Sequence, residues 1–234
     1  MKIFDKMAYH IERVLHCFPR RAKIQLGRIE KGWSIVHRKV YDYPKSWKEK
    51  QIWCFGDSNT YGYDPQGLFG GRYAKSWPEI LKEETGLQII NDGMNGRSIP
   101  CTEYEFSEFR RKTARYNADL LIVMLGTNDL LNGASASDAA KQMKAFIAEC
   151  GVKSILLIAP PTMKRGAWVT GDAVVVQSLE LSQQYRRLAE EVGILFADAG
   201  EWEIEIAFDG VHFTEEGHAR FADKLAEVLR KSLT

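Results

Sequence analysis

From residue 51 onward, short apolar runs alternate with longer stretches in which apolar residues recur every three or four positions. The runs 52–55, 87–90, 120–125, 155–159 and 194–197 are too short for helices, and their apolar character predicts buried strands. Between them, 77–85, 103–116, 137–150 and 175–192 predict amphipathic helices, and 214–233 predicts a closing one. Thr214 ahead of Glu215 and Glu216 marks the start of that last helix, with a capping oxygen and acidic residues in its first turn. Five strand–helix repeats predict an α/β fold with a five-stranded parallel sheet and helices on both faces. Functional groups then belong at the carboxyl ends of the strands, where the loops gather.

Residues 1–50 follow a different pattern. Met7, Ile11, Val14, Leu15 and Phe18 form one stripe of a helix that Pro19 ends. Residues 23–43 look strand-like, with Gly32 as a hairpin turn, and 43–46 read as a linker. The organisation predicted is an N-terminal extension over 1–50 and a catalytic domain over 51–234. Charge divides the chain at the same place. The whole sequence has 32 Lys/Arg against 31 Asp/Glu, a net of +1. Residues 1–50 hold 13 against 5, or +8, and residues 51–234 hold 19 against 26, or −7.

A nucleic-acid reading therefore applies only to the extension, and no nucleic-acid partner is expected. Its apolar residues, among them Phe4, Trp33, Tyr41 and Trp47, instead predict packing on the acidic domain of its own or a neighbouring subunit. The second case would make a homo-oligomer. No apolar run approaches the length of a membrane span. Asp5, Lys6, His10, Glu12 and Arg13 interrupt any secretory pattern at the amino terminus. Cys17, Cys54, Cys101 and Cys150 are scattered without a CxxC pair, so free thiols, a cytoplasmic location and no metal or cofactor are expected.

The predicted strand ends carry polar punctuation: Gly56-Asp57-Ser58-Asn59-Thr60, Asn91-Asp92-Gly93-Met94-Asn95-Gly96-Arg97, Gly126-Thr127-Asn128-Asp129 and Asp209-Gly210-Val211-His212. The fourth strand ends in Pro160-Pro161 instead. A serine on a tight glycine turn is a nucleophile in need of a base. His212 lies in a loop three residues from Asp209, whereas His218 falls inside the final helix. An Asp-x-x-His turn can place the carboxylate on one imidazole nitrogen and leave the other for the serine. Gly93 permits close approach of a backbone N–H, and Asn128 offers an amide, so donors for an oxyanion are at hand.

Each piece also has a plainer reading. Ser58 could cap a helix, Asp209 and His212 could form a surface turn, and Asn128-Asp129 could close a strand as an Asx turn. Gly93 and Gly96 could serve only positive φ angles. Arg97 could hold an anionic substrate group or make a surface salt bridge. Asp57 and Asp129 are expected to hydrogen-bond around the site. The non-enzyme alternative is an anion- or nucleotide-binding doubly wound domain with GDSNT as its anion loop, a poor match for want of GxGxxG or GxxxxGK[ST]; no GxSxG elbow is present.

Taken in order, GDSNT, NDGMNGR, LGTND and DGVHF resemble the four sequence blocks of the SGNH (GDSL-type) hydrolases from about residue 51 to the end. GDSNTYGYDP, GGRY, SWPEIL and the proline pair bring the resemblance to the arylesterase and acyltransferase branch. The resemblance implies a flavodoxin-like three-layer α/β/α sandwich. It implies Ser58 as nucleophile, His212 as base, Asp209 as its orienter, and an oxyanion hole of the Ser58 N–H, Gly93 N–H and Asn128 side chain. The first 50 residues have no counterpart in compact members, and Asp92 stands where that branch often has glutamate. The function implied is a serine esterase that hydrolyses small carboxylic esters, or passes their acyl group to another alcohol, through an acyl-enzyme on Ser58, with a carbohydrate O-deacetylase as the alternative. Tyr61, Tyr63, Trp168 and Phe208 are the aromatic candidates for the substrate pocket.

Overall fold

The computed structural model describes residues 41–67 and 71–232, so the expectations for residues 1–40 lie outside the described residues. A short helix α1 (Lys45–Lys48) precedes β1 (Gln51–Gly56) and the one-turn helix α2 (Ser58–Tyr61). Two short antiparallel strands, β2 (Tyr63–Asp64) and β3 (Gly71–Arg72), lead to α3 (Trp77–Thr85), β4 (Gln88–Gly93) and α4 (Glu103–Tyr116). Then come β5 (Leu120–Met124), α5 (Thr127–Leu131), α6 (Ala136–Glu149), β6 (Ile155–Ala159) and α7 (Asp172–Val192). β7 (Leu195–Asp198), a 3₁₀ turn (Ala199–Trp202) and α8 (Glu215–Ser232) complete the order.

The five long-range strands run parallel in the order β4-β1-β5-β6-β7. This is the expected flavodoxin-like arrangement. The direction of winding reverses beside β1, which opens a crevice at the carboxyl ends of β1 and β5. Side chains of β1 alternate between two cores, as the pleat requires. Trp53 and Phe55 face Phe109 of α4, Met143 and Phe146 of α6, and Leu181 and Tyr185 of α7. Ile52 and Cys54 face Trp77 and Leu81 of α3 and Phe221, Leu225 and Leu229 of α8.

Local chemistry sets where the helices start. Ser76 with Glu79 and Thr102 with Glu105 form capping boxes at α3 and α4. The predicted Thr214 cap is present, its Oγ1 accepting from the Gly217 N–H at 3.0 Å.

The predicted linker at 43–46 is replaced by built structure. Tyr41 and Tyr43 are buried in the second core, and the Tyr43 hydroxyl donates to the Ala226 carbonyl of α8 at 2.6 Å. Aromatic residues spaced two apart looked like the end of a strand, but their partners lie 182 and 183 positions away. The Asp209 loop also does not directly follow the last strand. A 3₁₀ turn intervenes, and an antiparallel bridge between Ile206 and Phe213 closes the loop. Among the described residues no helix is long and apolar enough to cross a membrane.

Candidate active site

β1 ends in Gly56, where a Cβ would meet Thr60 Oγ1 at 2.0 Å, so only glycine lets the chain turn directly into α2. Asp57 caps that turn by accepting from the Asn59 N–H at 2.9 Å. Burial pushes the Asp57 carboxyl up to about 6, against the pull of that hydrogen bond and of nearby His212 and Arg97. Ser58 is the first residue of α2 and is 7% exposed. Its backbone N–H belongs to the first helical turn, whose donors have no intrahelical acceptor.

The Asp209 loop presents the base. Asp209 Oδ1 accepts from the N–H groups of Val211 and His212 at 2.9 and 3.0 Å, and Oδ2 lies 2.6 Å from His212 Nδ1. Burial alone would raise the Asp209 carboxyl, but these bonds hold it below the usual carboxylate range. His212 Nε2 lies 2.9 Å from Ser58 Oγ. Asp209 and His212 are buried, at 0% and 2% exposure. Residues 154 positions apart thus form one continuous hydrogen-bonded chain from carboxylate to hydroxyl.

Asn128, in α5, donates from Nδ2 to the Arg97 carbonyl at 3.0 Å, which leaves its second amide hydrogen for another acceptor. Gly93 answers a steric demand. A Cβ there would lie 2.0 Å from the Tyr61 N atom of α2, and its φ is not among the positive ones. Its own N–H is engaged by Asn91 Oδ1 at 2.9 Å, an acceptor that a ligand must displace.

Arg97 overturns both of its readings. It is 8% exposed, lies over the Phe55 ring at 4.1 Å, and donates to the Gly56 carbonyl at 2.9 Å. It also holds Asp92, whose carboxylate receives Lys112 and the Trp53 indole N–H as well. It is therefore neither a surface ion pair nor an open anion hook. The two other acids beside the site accept backbone hydrogen bonds, Asp57 from Asn59 and Asp129 from Ile99.

The aromatic candidates separate. Tyr63 and Trp168 flank His212, with ring centroids 4.6 and 4.9 Å from the imidazole. Trp168 is 54% exposed, and Phe208 is exposed one residue before Asp209. Tyr61 instead lies under the Arg72 guanidinium at 5.0 Å. Sequence reasoning assigned no role to Asn59, although a polar residue directly after the serine, in a turn that must be buried, was a signal. Among the described residues no group of three or more His, Cys, Asp or Glu side chains is placed to hold a metal ion.

Residues 54–220 match the GDSL-like lipase/acylhydrolase family. A GDSL lipase of Mycobacterium tuberculosis (strain ATCC 25618 / H37Rv) is 29% identical over 197 residues, covering 76% of this chain and 80% of that protein. The structure is similar to that of the M. smegmatis aryl esterase, with a TM-score of 0.70 and 26% identity over 78% of this chain and 99% of that one. It is also similar to a carbohydrate acetylesterase family member from Sinorhizobium meliloti, with a TM-score of 0.69 and 28% identity over 79% and 99% of the two chains.

Proposed function

The chain belongs to the GDSL-like lipase/acylhydrolase family and is a carboxylic ester hydrolase, and on that premise we propose that it cleaves small carboxylic esters through an acyl-enzyme on Ser58. The observation that carries this is the Ser58–His212–Asp209 chain, at 2.9 and 2.6 Å. With its Nδ1–H donated to Asp209, the imidazole has its Nε2 lone pair facing the Ser58 hydroxyl. Ser58 Oγ attacks the ester carbonyl carbon as its proton passes to Nε2. The C–O bond to the alcohol then breaks, and the imidazolium returns the proton to the departing oxygen. Water repeats the sequence in reverse, with Nε2 as base, and releases the acid and free Ser58.

The tetrahedral oxyanion is held by the Ser58 N–H and the second amide hydrogen of Asn128. Gly93 contributes its N–H once the oxyanion displaces Asn91 Oδ1 from it. The leaving alcohol departs toward the base. There Tyr63 and the exposed indole of Trp168 offer flat apolar faces. An aromatic alcohol stacks on such a surface, and so does the C–H face of a sugar, which keeps carbohydrate deacetylation as the second reading.

A fluorophosphonate is expected to add one covalent label at Ser58 by mass mapping, and Ser58→Ala to abolish both label and turnover with the fold retained. A loss of less than about 10³-fold in kcat would rule out covalent catalysis by this residue. Aryl acetate, butyrate and octanoate, assayed beside acetylated sugars, decide between the two alcohol classes.

A further inference from the structure

The backbone around His212 has a complete hydrogen-bond account, and two side chains supply most of it. Asp209, on the same loop, takes the N–H groups of Val211 and His212. The His212 carbonyl accepts from the Ala207 N–H at 2.7 Å. The two remaining groups, one on each side of the histidine, both go to Asn59. Its Nδ2 donates to the Val211 carbonyl at 3.1 Å, and its Oδ1 accepts from the Phe213 N–H at 2.9 Å. The carboxamide thus pairs with the loop as a neighbouring strand would, straddling the base.

Asn59 is itself held rigidly. It is 3% exposed, sits in α2 directly after Ser58, and its own N–H is fixed on Asp57. A buried amide with all of these bonds made has no other rotamer of comparable energy, because turning it would orphan groups on both partners. The nucleophile and the clamp share one helical turn, so any shift of that turn carries the loop with it.

We propose that Asn59 is a positioning residue that fixes the distance from His212 Nε2 to Ser58 Oγ by clamping the Val211–Phe213 backbone to the helix that carries the nucleophile. The proposal rests on the acyl-enzyme reading. Asp209 sets the tautomer and tilt of the imidazole, and Asn59 sets where the imidazole stands. Proton transfer in the transition state depends steeply on that separation, whereas substrate binding does not.

The test uses the full chain and p-nitrophenyl acetate. Asn59→Leu, similar in size and without polar atoms, is expected to lower kcat by roughly 10–100-fold while KM stays within about twofold. In a His212→Ala background, the same substitution is expected to change the residual rate by less than about twofold, since there is no base left to position. Equal losses in both backgrounds, or a kcat near that of the parent, would overturn the clamp. Should Asn59→Leu fail to fold, Asn59→Asp keeps the acceptor for Phe213 and replaces the donor to Val211, and the same two-background comparison applies. If Ser58→Ala and His212→Ala themselves leave kcat intact, the acyl-enzyme reading falls and the clamp with it. If those two variants are inactive and Asn59→Leu is not impaired, only the clamp falls.

Discussion

At the scale of single residues, the site is set by where each polar hydrogen is already committed. Asn128 has one amide hydrogen on the Arg97 carbonyl, which fixes the plane of the amide and aims the other. Arg97, in turn, is buried against Phe55 with its guanidinium on Gly56 and Asp92, so the carbonyl that orients Asn128 is anchored to the ends of β1 and β4. An amide held this way costs no reorganisation when charge develops on the substrate oxygen. Asn128→Ala is therefore expected to lower kcat by about 10²–10³ with little change in KM. Steady-state kinetics on an aryl acetate checks it, and an unaltered kcat would reduce Asn128 to a strand-closing turn.

At the scale of elements, α3 and α8 meet through a histidine that takes no part in the proposed chemistry. His218 of α8 is fully buried, and its Nδ1 accepts from the Trp77 N–H at the start of α3 at 3.3 Å. Its Nε2 is buried with no hydrogen-bond partner, between Tyr73 and Phe213. Burial drives its pKa down to about 3 from the ordinary 6.5, outweighing the attraction of Glu79. Below about 6.5 the unfolded chain takes a proton that the folded chain refuses until about 3, so this contribution to stability is present above 6.5 and lost as pH falls.

Asp57 works in the opposite direction. Its folded pKa of about 6 lies above the ordinary 3.8, so it favours the folded state in acid and loses that contribution as pH rises through 6. The two slopes oppose each other between about 4 and 6, and comparison with a variant separates them. His218→Asn keeps an acceptor for Trp77 and removes the titration. Its unfolding free energy relative to the parent is expected to rise by about 1.4 kcal/mol per pH unit below 6.5, or roughly 2 kcal/mol at pH 5. Urea unfolding at pH 7 and pH 5 measures this, and parallel changes in both proteins would contradict it.

At the scale of the whole molecule, the sheet depends on residues that precede its first strand. Tyr41 and Tyr43 close the outer face of the second core against α8, their hydroxyls bonded to Asp223 and Ala226. Burial pushes the Tyr43 phenol up to about 12, so it stays a donor at any physiological pH. Burying an aromatic side chain of this kind contributes roughly 1.5–3 kcal/mol. A chain starting at residue 51 is accordingly expected to be less stable than one starting at residue 41 by about 3–6 kcal/mol. Denaturant unfolding of the two proteins checks it. A difference below about 1 kcal/mol would show that the two tyrosines only cover the core.

The strands, the long helices and the Thr214 start of α8 were legible in the sequence because their causes lie within a few residues. A short apolar run, a 3.6-residue stripe and a threonine cap ahead of two acids need no distant partner. The short helices α2 and α5 were not legible, since four or five residues hold barely one turn and show no period. Ser58, Asp209, His212, Gly93 and Asn128 could be named from their places at predicted loop positions. Their geometry could not, because it depends on contacts that no local pattern announces, 31 positions apart for Asn128 and Arg97 and 154 for Ser58 and His212. The tertiary structure alone decided that Asn59 pairs with the backbone on both sides of His212, and that Tyr63 rather than Tyr61 stands beside the base. It also decided that Arg97 is buried and that Asn91 holds the Gly93 N–H. In each case a polar group removed from water had to find its partner inside the fold, and a sequence states which groups are polar without stating which will be buried together.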